Sequence, residues 1–509
     1  MRAALLFAAI SVPADAAYAR DFPTGPIRAV IPYGVGGSAD VLARIIAPGI
    51  STNLGQSLVI DNRGGGAGLP AITLVAKAQP DGYRTNECSG IPGEFSARLR
   101  SVFGLEFEDS QAAAQAAEEV MHSGMFVFTA IERIVFGQPA ATALRAEAER
   151  LQAKRIFIIA SGTMNRTTDE VTKVRDALGN RCAGLYDRVP SHTPRDAVLE
   201  AVREARAVDT DLIVSFGGGS VTDAGKLMQL CLQHGITDYE GFDAFHVVVK
   251  PDGTRIVPEF DGPKVRQIAI PTTLSGGEFQ PQGGATDNRN KVKHSYRHPL
   301  HIPRVIILDP APTVHTPLAT WLSTGVRAVD HATEAICSGL SNPASDASFL
   351  HALRLLGQGL LRIKRAPDDL EARLDCQLAV WLAMTGRQGG IQMGASHAIG
   401  HVLGGSCDVP HGYTSCVMLA PVLRYNRSVN LARQRLVAEA IRHPGEEAAD
   451  VIAAFVADLG LPGRLADVGV KCEQFGMIAD HAMHESWIHT NPRKITSAGQ
   501  VLEILEAAA

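Results

Sequence analysis

The sequence predicts an α/β domain built on a doubly wound parallel sheet, followed by an all-α domain, with a truncated α/β fragment ahead of both. Three observations predict this. Apolar runs at 155–160 and 211–216 alternate with helical stretches at 170–178 and 195–205, and strand–helix alternation favours a parallel sheet covered by helices. From about Thr316 the alternation gives way to long amphipathic segments at 346–361, 370–385, 431–441 and 447–459, the pattern of helices packed on helices. A chain of 509 residues also exceeds what one core organises. The expected divisions are 1–19, 20–85, a linker at 86–123, the α/β domain at 124–312 and the helical domain at 313–509.

Arg2, the apolar run from Ala3 to Val12 and the small-x-small Ala17-Tyr18-Ala19 read as a secretory signal peptide. Val30 and Ile31 suggest a strand, 41–50 a helix, and a second strand ends near Ile60. The phrases Gly36-Gly37-Ser38-Ala39-Asp40, Asp61-Asn62-Arg63 and Pro80-Asp81-Gly82-Tyr83 resemble the opening of a periplasmic substrate-binding protein of the tripartite tricarboxylate transporter type. The resemblance stops near Tyr83, too soon to build the two lobes of such a protein. The segment from about Arg84 to Ser123, which holds the linker at 86–123, reads as a linker or the product of a fused reading frame, with helical composition at 111–121.

Composition narrows the partners. A net charge of -5 with no long single-sign run argues against nucleic acid. No apolar stretch is long enough to span a bilayer. The eight cysteines lack zinc-ribbon or disulfide-scaffold spacing, so Cys407 and Cys416 read as small buried hydrophobes.

Two motifs carry chemistry. Gly217-Gly218-Gly219-Ser220 follows an apolar strand and opens a helix; glycines let backbone N–H groups approach a pyrophosphate, and a helix N-terminus adds partial positive charge. His397 and His401 are four apart and share a helical face. The Gly404-Gly405 pair should end that helix, so that His411 returns beside His397. His331 lies upstream in Gly325-Val-Arg-Ala-Val-Asp-His331-Ala-Thr-Glu334. His294, His298 and His301 read as a solvated loop, and His192 as a surface residue near a helix entry. Asp330 should face away, because adjacent helix positions point about 100° apart.

These motifs resemble the iron-containing alcohol dehydrogenase superfamily over residues 126–509. The resemblance rests on Gly217 to Lys226, Pro271-Thr272-Thr273-Leu274-Ser275-Gly276, the two histidine segments and Asn491 to Ser497. The run from His401 to His411 is most similar to its maleylacetate reductase branch. The resemblance implies an NADH-dependent oxidoreductase, with NADPH as the other coenzyme. It implies cofactor contacts from Gly217, Gly218, Gly219, Ser220, Asp223, Lys226, Thr272, Thr273, Ser275 and Lys293. Gly277 stands where the family usually has serine. The strand ending at Ala160-Ser161-Gly162-Thr163 offers neither the acid that selects NAD nor a phosphate-binding arginine.

In metal-dependent members an aspartate four residues before the first histidine completes an iron or zinc shell, which would use His331, His397 and His411 here. That position holds Arg327. A divalent cation and a guanidinium about 5 Å apart repel by roughly 7 kcal/mol at an effective dielectric near 20. Three histidines alone can hold zinc, so a metal site and a metal-free site both stay open. Without metal, Arg327 with His331, His397, His401 and His411 would bind a dicarboxylate, Arg327 and a protonated histidine would stabilise an enolate, and His401 would move the proton. The expected reaction is maleylacetate to 3-oxoadipate, in a cytoplasmic homodimer, with the signal-like start in conflict. The alternatives are a metal-dependent alcohol dehydrogenase, and a solute-binding protein carrying an inert fused domain.

Overall fold

The computed structural model describes residues 25–31, 47–48, 51–52, 55–62, 125–249 and 255–509. The chain divides into two compact units, Met1–Met121 and His122–Ala509. In the first, β1 (Ile27–Ile31) pairs in parallel with β2 (Leu58–Asn62). The signal-like segment, the linker and most of the helix expected at 41–50 lie outside the described residues.

The second unit opens with β3 (Arg133–Phe136), α1 (Ala140–Arg150), β4 (Ile156–Ala160), α2 (Gly162–Thr167), α3 (Glu170–Leu178) and β5 (Cys182–Tyr186). It continues with α4 (Arg195–Ala207), β6 (Leu212–Gly217), α5 (Gly219–His234) and two short antiparallel strands, β7 (Val248–Val249) and β8 (Arg255–Ile256). Then come β9 (Arg266–Pro271), the hairpin of β10 (Gln282–Asp287) and β11 (Val292–Arg297), and β12 (Val305–Leu308).

Six strands form one sheet in the order β3-β12-β9-β6-β4-β5, every neighbouring pair parallel. Both faces are apolar. Ile156, Ile158, Val214 and Ile268 pack one face against α1 and α3, while Phe157, Ile159 and Ile213 pack the other against α4 and α5. Strands buried on both sides read as unbroken apolar runs, which is why 155–160 and 211–216 were legible. The strand order reverses between β4 and β6. The crevice beyond their C-terminal ends is the topological switch point, where open parallel sheets take ligands.

The helical part comprises α6 (Leu318–Cys337), α7 (Pro343–Arg365), α8 (Leu370–Gly386), α9 (Ala395–Ser406), α10 (His411–Ala440), α11 (Ala448–Asp458), α12 (Phe475–Ala482) and α13 (Ala498–Glu506). α6 runs through its centre, buried on every side from Trp321 to Cys337 except at Thr324. The helix expected at 431–441 is the second limb of α10, set off by non-helical backbone at Asn430. Gly404 and Gly405 do not end α9; they lie in its last turn, and the helix continues to Ser406. Among the described residues no helix is long and apolar enough to cross a membrane.

Candidate active site

The glycine turn sits at the switch point. β6 ends at Gly217, and α5 begins at Gly219 with Gly218 as its cap and no capping side chain. The first amides of α5 therefore lack a side-chain acceptor, as an anion-binding helix start requires. The three glycines keep a trough open. A Cβ on Gly217 would lie 2.9 Å from Val221, one on Gly218 3.1 Å from Thr273, and one on Gly219 3.1 Å from the Ser275 hydroxyl. Thr273 and Ser275 thus form the opposite wall, and their hydroxyls pair at 3.4 Å. Thr272 is buried and holds the two segments together, its N–H donating to the Gly217 carbonyl at 3.0 Å.

The remaining expected cofactor residues behave differently. Ser220 accepts the His192 N–H and its carbonyl accepts the Thr193 hydroxyl, pinning a loop in which both residues have positive φ. Lys226 is fully buried and donates to the carbonyls of Gly277 and Gln282 at 2.6 and 2.8 Å, so its ammonium braces the fold. Asp223 lies 3.7 Å from Lys226 and 3.6 Å from Lys293. At Gly277 the backbone carbonyl is what is used, so the absent serine costs that contact nothing.

The histidine wall is built by α6, α9 and the start of α10. His331 and His397 are buried with ring centroids 4.6 Å apart. Glu334, one turn after His331, accepts the N–H groups of Gly394 and Ser396 at 3.0 and 2.8 Å and lies 2.8 Å from His397 Nδ1. This fixes the start of α9 and the His397 ring together, leaving Nε2 of His397 and Nδ1 of His331 without partners among the described residues. His401 pairs with Glu485 at 3.2 Å and stacks against His411, centroids 6.1 Å apart. Trp487 closes the row, 5.8 Å from His397 and 4.9 Å from His401. Gly404 is what lets His411 return, since a Cβ there would sit 3.0 Å from the His411 ring.

Arg327 lies one turn before His331, buried, its Nη1 donating to the hydroxyls of Thr414 and Ser415 at 3.2 Å each. Gly400 leaves it room, because a Cβ there would be 3.0 Å from the Thr414 hydroxyl and 3.5 Å from Arg327 Nη1. Burial first, then the charges of Arg327 and Arg387, hold His331 and His397 well below the ordinary histidine range. Both are neutral at physiological pH. The protonated histidine expected from the sequence is therefore neither of these two: two guanidinia supply the positive charge and suppress protonation of the rings beside them.

Asp330 also departs from expectation. It points into this cluster, 3.4 Å from His397 Nδ1, and accepts the hydroxyls of Ser396 and Ser415 at 2.8 and 2.6 Å. A helix buried on all sides has no outward face for an acid to occupy. Asp330, Glu334 and His397 are the group among the described residues whose ligand atoms lie within 4.8 Å of one another. Burial, with mutual repulsion at Glu334, raises both carboxyls. The remaining histidines lie elsewhere: His301 is not solvated but buried, with burial lowering its pKa to about 3, while His294 lies on β11 and His298 caps the turn leading to His301.

A parallel doubly wound sheet with a glycine trough at its switch point, joined to a helical part carrying a wall of imidazoles, defines a nicotinamide-dependent oxidoreductase. The chain belongs to the iron-containing alcohol dehydrogenase family. Residues 132–310 match the family model "Iron-containing alcohol dehydrogenase", and 321–509 match "Fe-containing alcohol dehydrogenase family, C-terminal". It is 34% identical to dehydrogenase FUM7 of Gibberella moniliformis, over 74% of this chain and 96% of that one. It is 30% identical to maleylacetate reductase of Rhizobium sp., over 74% and 97%. The solved maleylacetate reductase from Rhizobium sp. superposes with a TM-score of 0.64 at 27% identity, covering 76% of this chain and 98% of that one. The similarity supports the maleylacetate reductase branch and an NAD(P)-dependent oxidoreductase.

Membership implies NAD(P) and a divalent metal. The trough fits a dinucleotide. The metal fits poorly. The family's aspartate position holds a buried guanidinium anchored by two hydroxyls. In the Asp330–Glu334–His397 group, both Glu334 oxygens, Asp330 Oδ2 and His397 Nδ1 already have partners, while Asp330 Oδ1 and His397 Nε2 have none among the described residues.

Proposed function

We propose that this chain reduces an unsaturated oxo-dicarboxylate with NAD(P)H, maleylacetate to 3-oxoadipate being the reaction that suits the site. The observation that carries the reading is the buried Arg327 guanidinium beside two neutral imidazoles, where an ordinary alcohol dehydrogenase of the family has a carboxylate. A planar guanidinium makes paired hydrogen bonds to a carboxylate. A simple alcohol or aldehyde offers it one neutral acceptor oxygen, with neither the charge nor the second oxygen of a carboxylate.

A nicotinamide held at the trough would supply a hydride to the alkene carbon β to the ketone, becoming NAD(P)+; the carbon–carbon π bond breaks and the electron pair moves to the ketone oxygen as an enolate. Arg327 is preorganised to stabilise that charge in a water-poor site. The α carbon then takes a proton, which restores the ketone. His401 is placed for this: it is half-buried, is oriented by Glu485, and lies beside His411 at the accessible edge of the wall. His331 and His397, neutral and deeply buried, orient the substrate through the ring nitrogens that have no partner among the described residues.

NADH is the preferred coenzyme in this reading, on the branch likeness. The cytoplasm, where that coenzyme is found, is the place of action, and the working form is a homodimer. A second reading, a metal-dependent alcohol dehydrogenase, is favoured by the grouping of Asp330, Glu334 and His397. Arg327→Met separates the two. In the dicarboxylate reading it lowers kcat/KM on maleylacetate by about 100-fold or more, the scale of losing one transition-state donor; full turnover by this variant would end that reading.

A further inference from the structure

We propose that Arg387 is a second carboxylate clamp, which with Arg327 makes the site specific for substrates bearing two carboxylates; this rests on the dicarboxylate reading above. Arg387 opens the short turn Arg387–Gly389 after α8. Its guanidinium lies over Trp487, 6.0 Å from the ring centre, the same indole that contacts His397 and His401. Nε of Arg387 is buried and has no hydrogen-bond partner among the described residues. Among the described residues no ion pair holds this side chain, whereas Arg195 has Asp243 and Asp287, and Arg373 has backbone carbonyls.

A guanidinium withdrawn from water without an acceptor is costly. Here two share one wall, Arg327 with two neutral hydroxyl acceptors and Arg387 with its Nε unpaired among the described residues. Each acts on the same pair of imidazoles, His331 and His397, and they repel each other; burial with that repulsion lowers Arg387 to about 10. A monocarboxylate satisfies one guanidinium and leaves the other uncompensated. A dicarboxylate neutralises both. The second carboxylate is therefore a recognition element, and Arg387 sets specificity for it.

The test is calorimetric titration of the full chain, saturated with NAD+, with adipate and with hexanoate, which match in length and differ by one carboxylate. Wild type is expected to prefer adipate at least 30-fold. Arg387→Met should cut that preference below threefold, and Arg387→Lys should leave an intermediate value, because an ammonium keeps the charge and loses the fork. A wild-type preference that survives unchanged in Arg387→Met overturns the role of Arg387 and leaves the dicarboxylate reading standing. Absence of any preference in wild type overturns both. Should the methionine variant not fold, the lysine variant decides: a threefold or larger loss supports the clamp, and no loss overturns it.

Discussion

The rings of His331 and His397 lie 4.6 Å apart, one from α6 and one from α9, with one nitrogen on each left without a partner among the described residues. Two neutral imidazoles held this way can donate or accept toward a ligand, and they add no charge to the guanidinium beside them. That relationship, with Arg327 one turn away, separates this site from a metal centre built on the same helices.

Restoring the family's aspartate should restore the metal. Arg327→Asp removes the repelling charge and adds a fourth ligand to His331, His397 and His411. Metal analysis after dialysis against zinc should find about one ion per chain in the variant and much less in wild type. Equal occupancy in both would show that Arg327 does not govern metal binding.

The trough predicts a cofactor variant. A side chain on Gly218 would begin 3.1 Å from Thr273 and fill the space between the turn and its opposite wall. Gly218→Val is expected to weaken NADH at least tenfold, about 1.4 kcal/mol, with little change in Tm, since the cap backbone is extended and tolerates a branched residue. Fluorescence titration with NADH reads this directly, and an unchanged Kd would move the cofactor away from the turn.

His401 should govern proton delivery. His401→Asn is expected to lower kcat on maleylacetate by about 100-fold or more, within the usual range for losing a general acid, with a smaller change in KM. Glu485→Gln, which loosens the ring through its 3.2 Å contact, should give a milder loss in the same direction. If His401→Asn raised KM alone, its role would be binding.

Acid stability should report His301. Its folded pKa, about 3, is depressed by burial below the ordinary 6.5. The unfolded chain therefore binds more protons between those values, and stability falls as pH drops from about 6.5 towards 3, by up to about 1.4 kcal/mol per unit. Above pH 6.5 the effect vanishes. His301→Leu should flatten this acid limb, measured by denaturant midpoints at pH 7, 5.5 and 4.5; an unchanged slope would place the proton uptake elsewhere.

What the sequence revealed follows from range. The sheet strands, the Gly217 turn and the pairing of His397 with His401 are local patterns, so composition and spacing carry them. Asp330 was misjudged because the 100° rule assumes a helix with an outside, and α6 has almost none. Arg387 and Trp487 meet across a hundred residues of chain, and His301 is buried by Phe260 and its neighbours through packing; no local signal marks either. The one sequence hint to Glu334 is its place three residues after His331, on the same helical face.

The most direct measurement is NADH oxidation by the full chain after exhaustive chelation, comparing maleylacetate with a simple aldehyde. The account predicts that turnover of the dicarboxylate survives chelation and exceeds that of the aldehyde by at least 100-fold in kcat/KM. Preference for the aldehyde, with activity returning only on addition of iron or zinc, would contradict it.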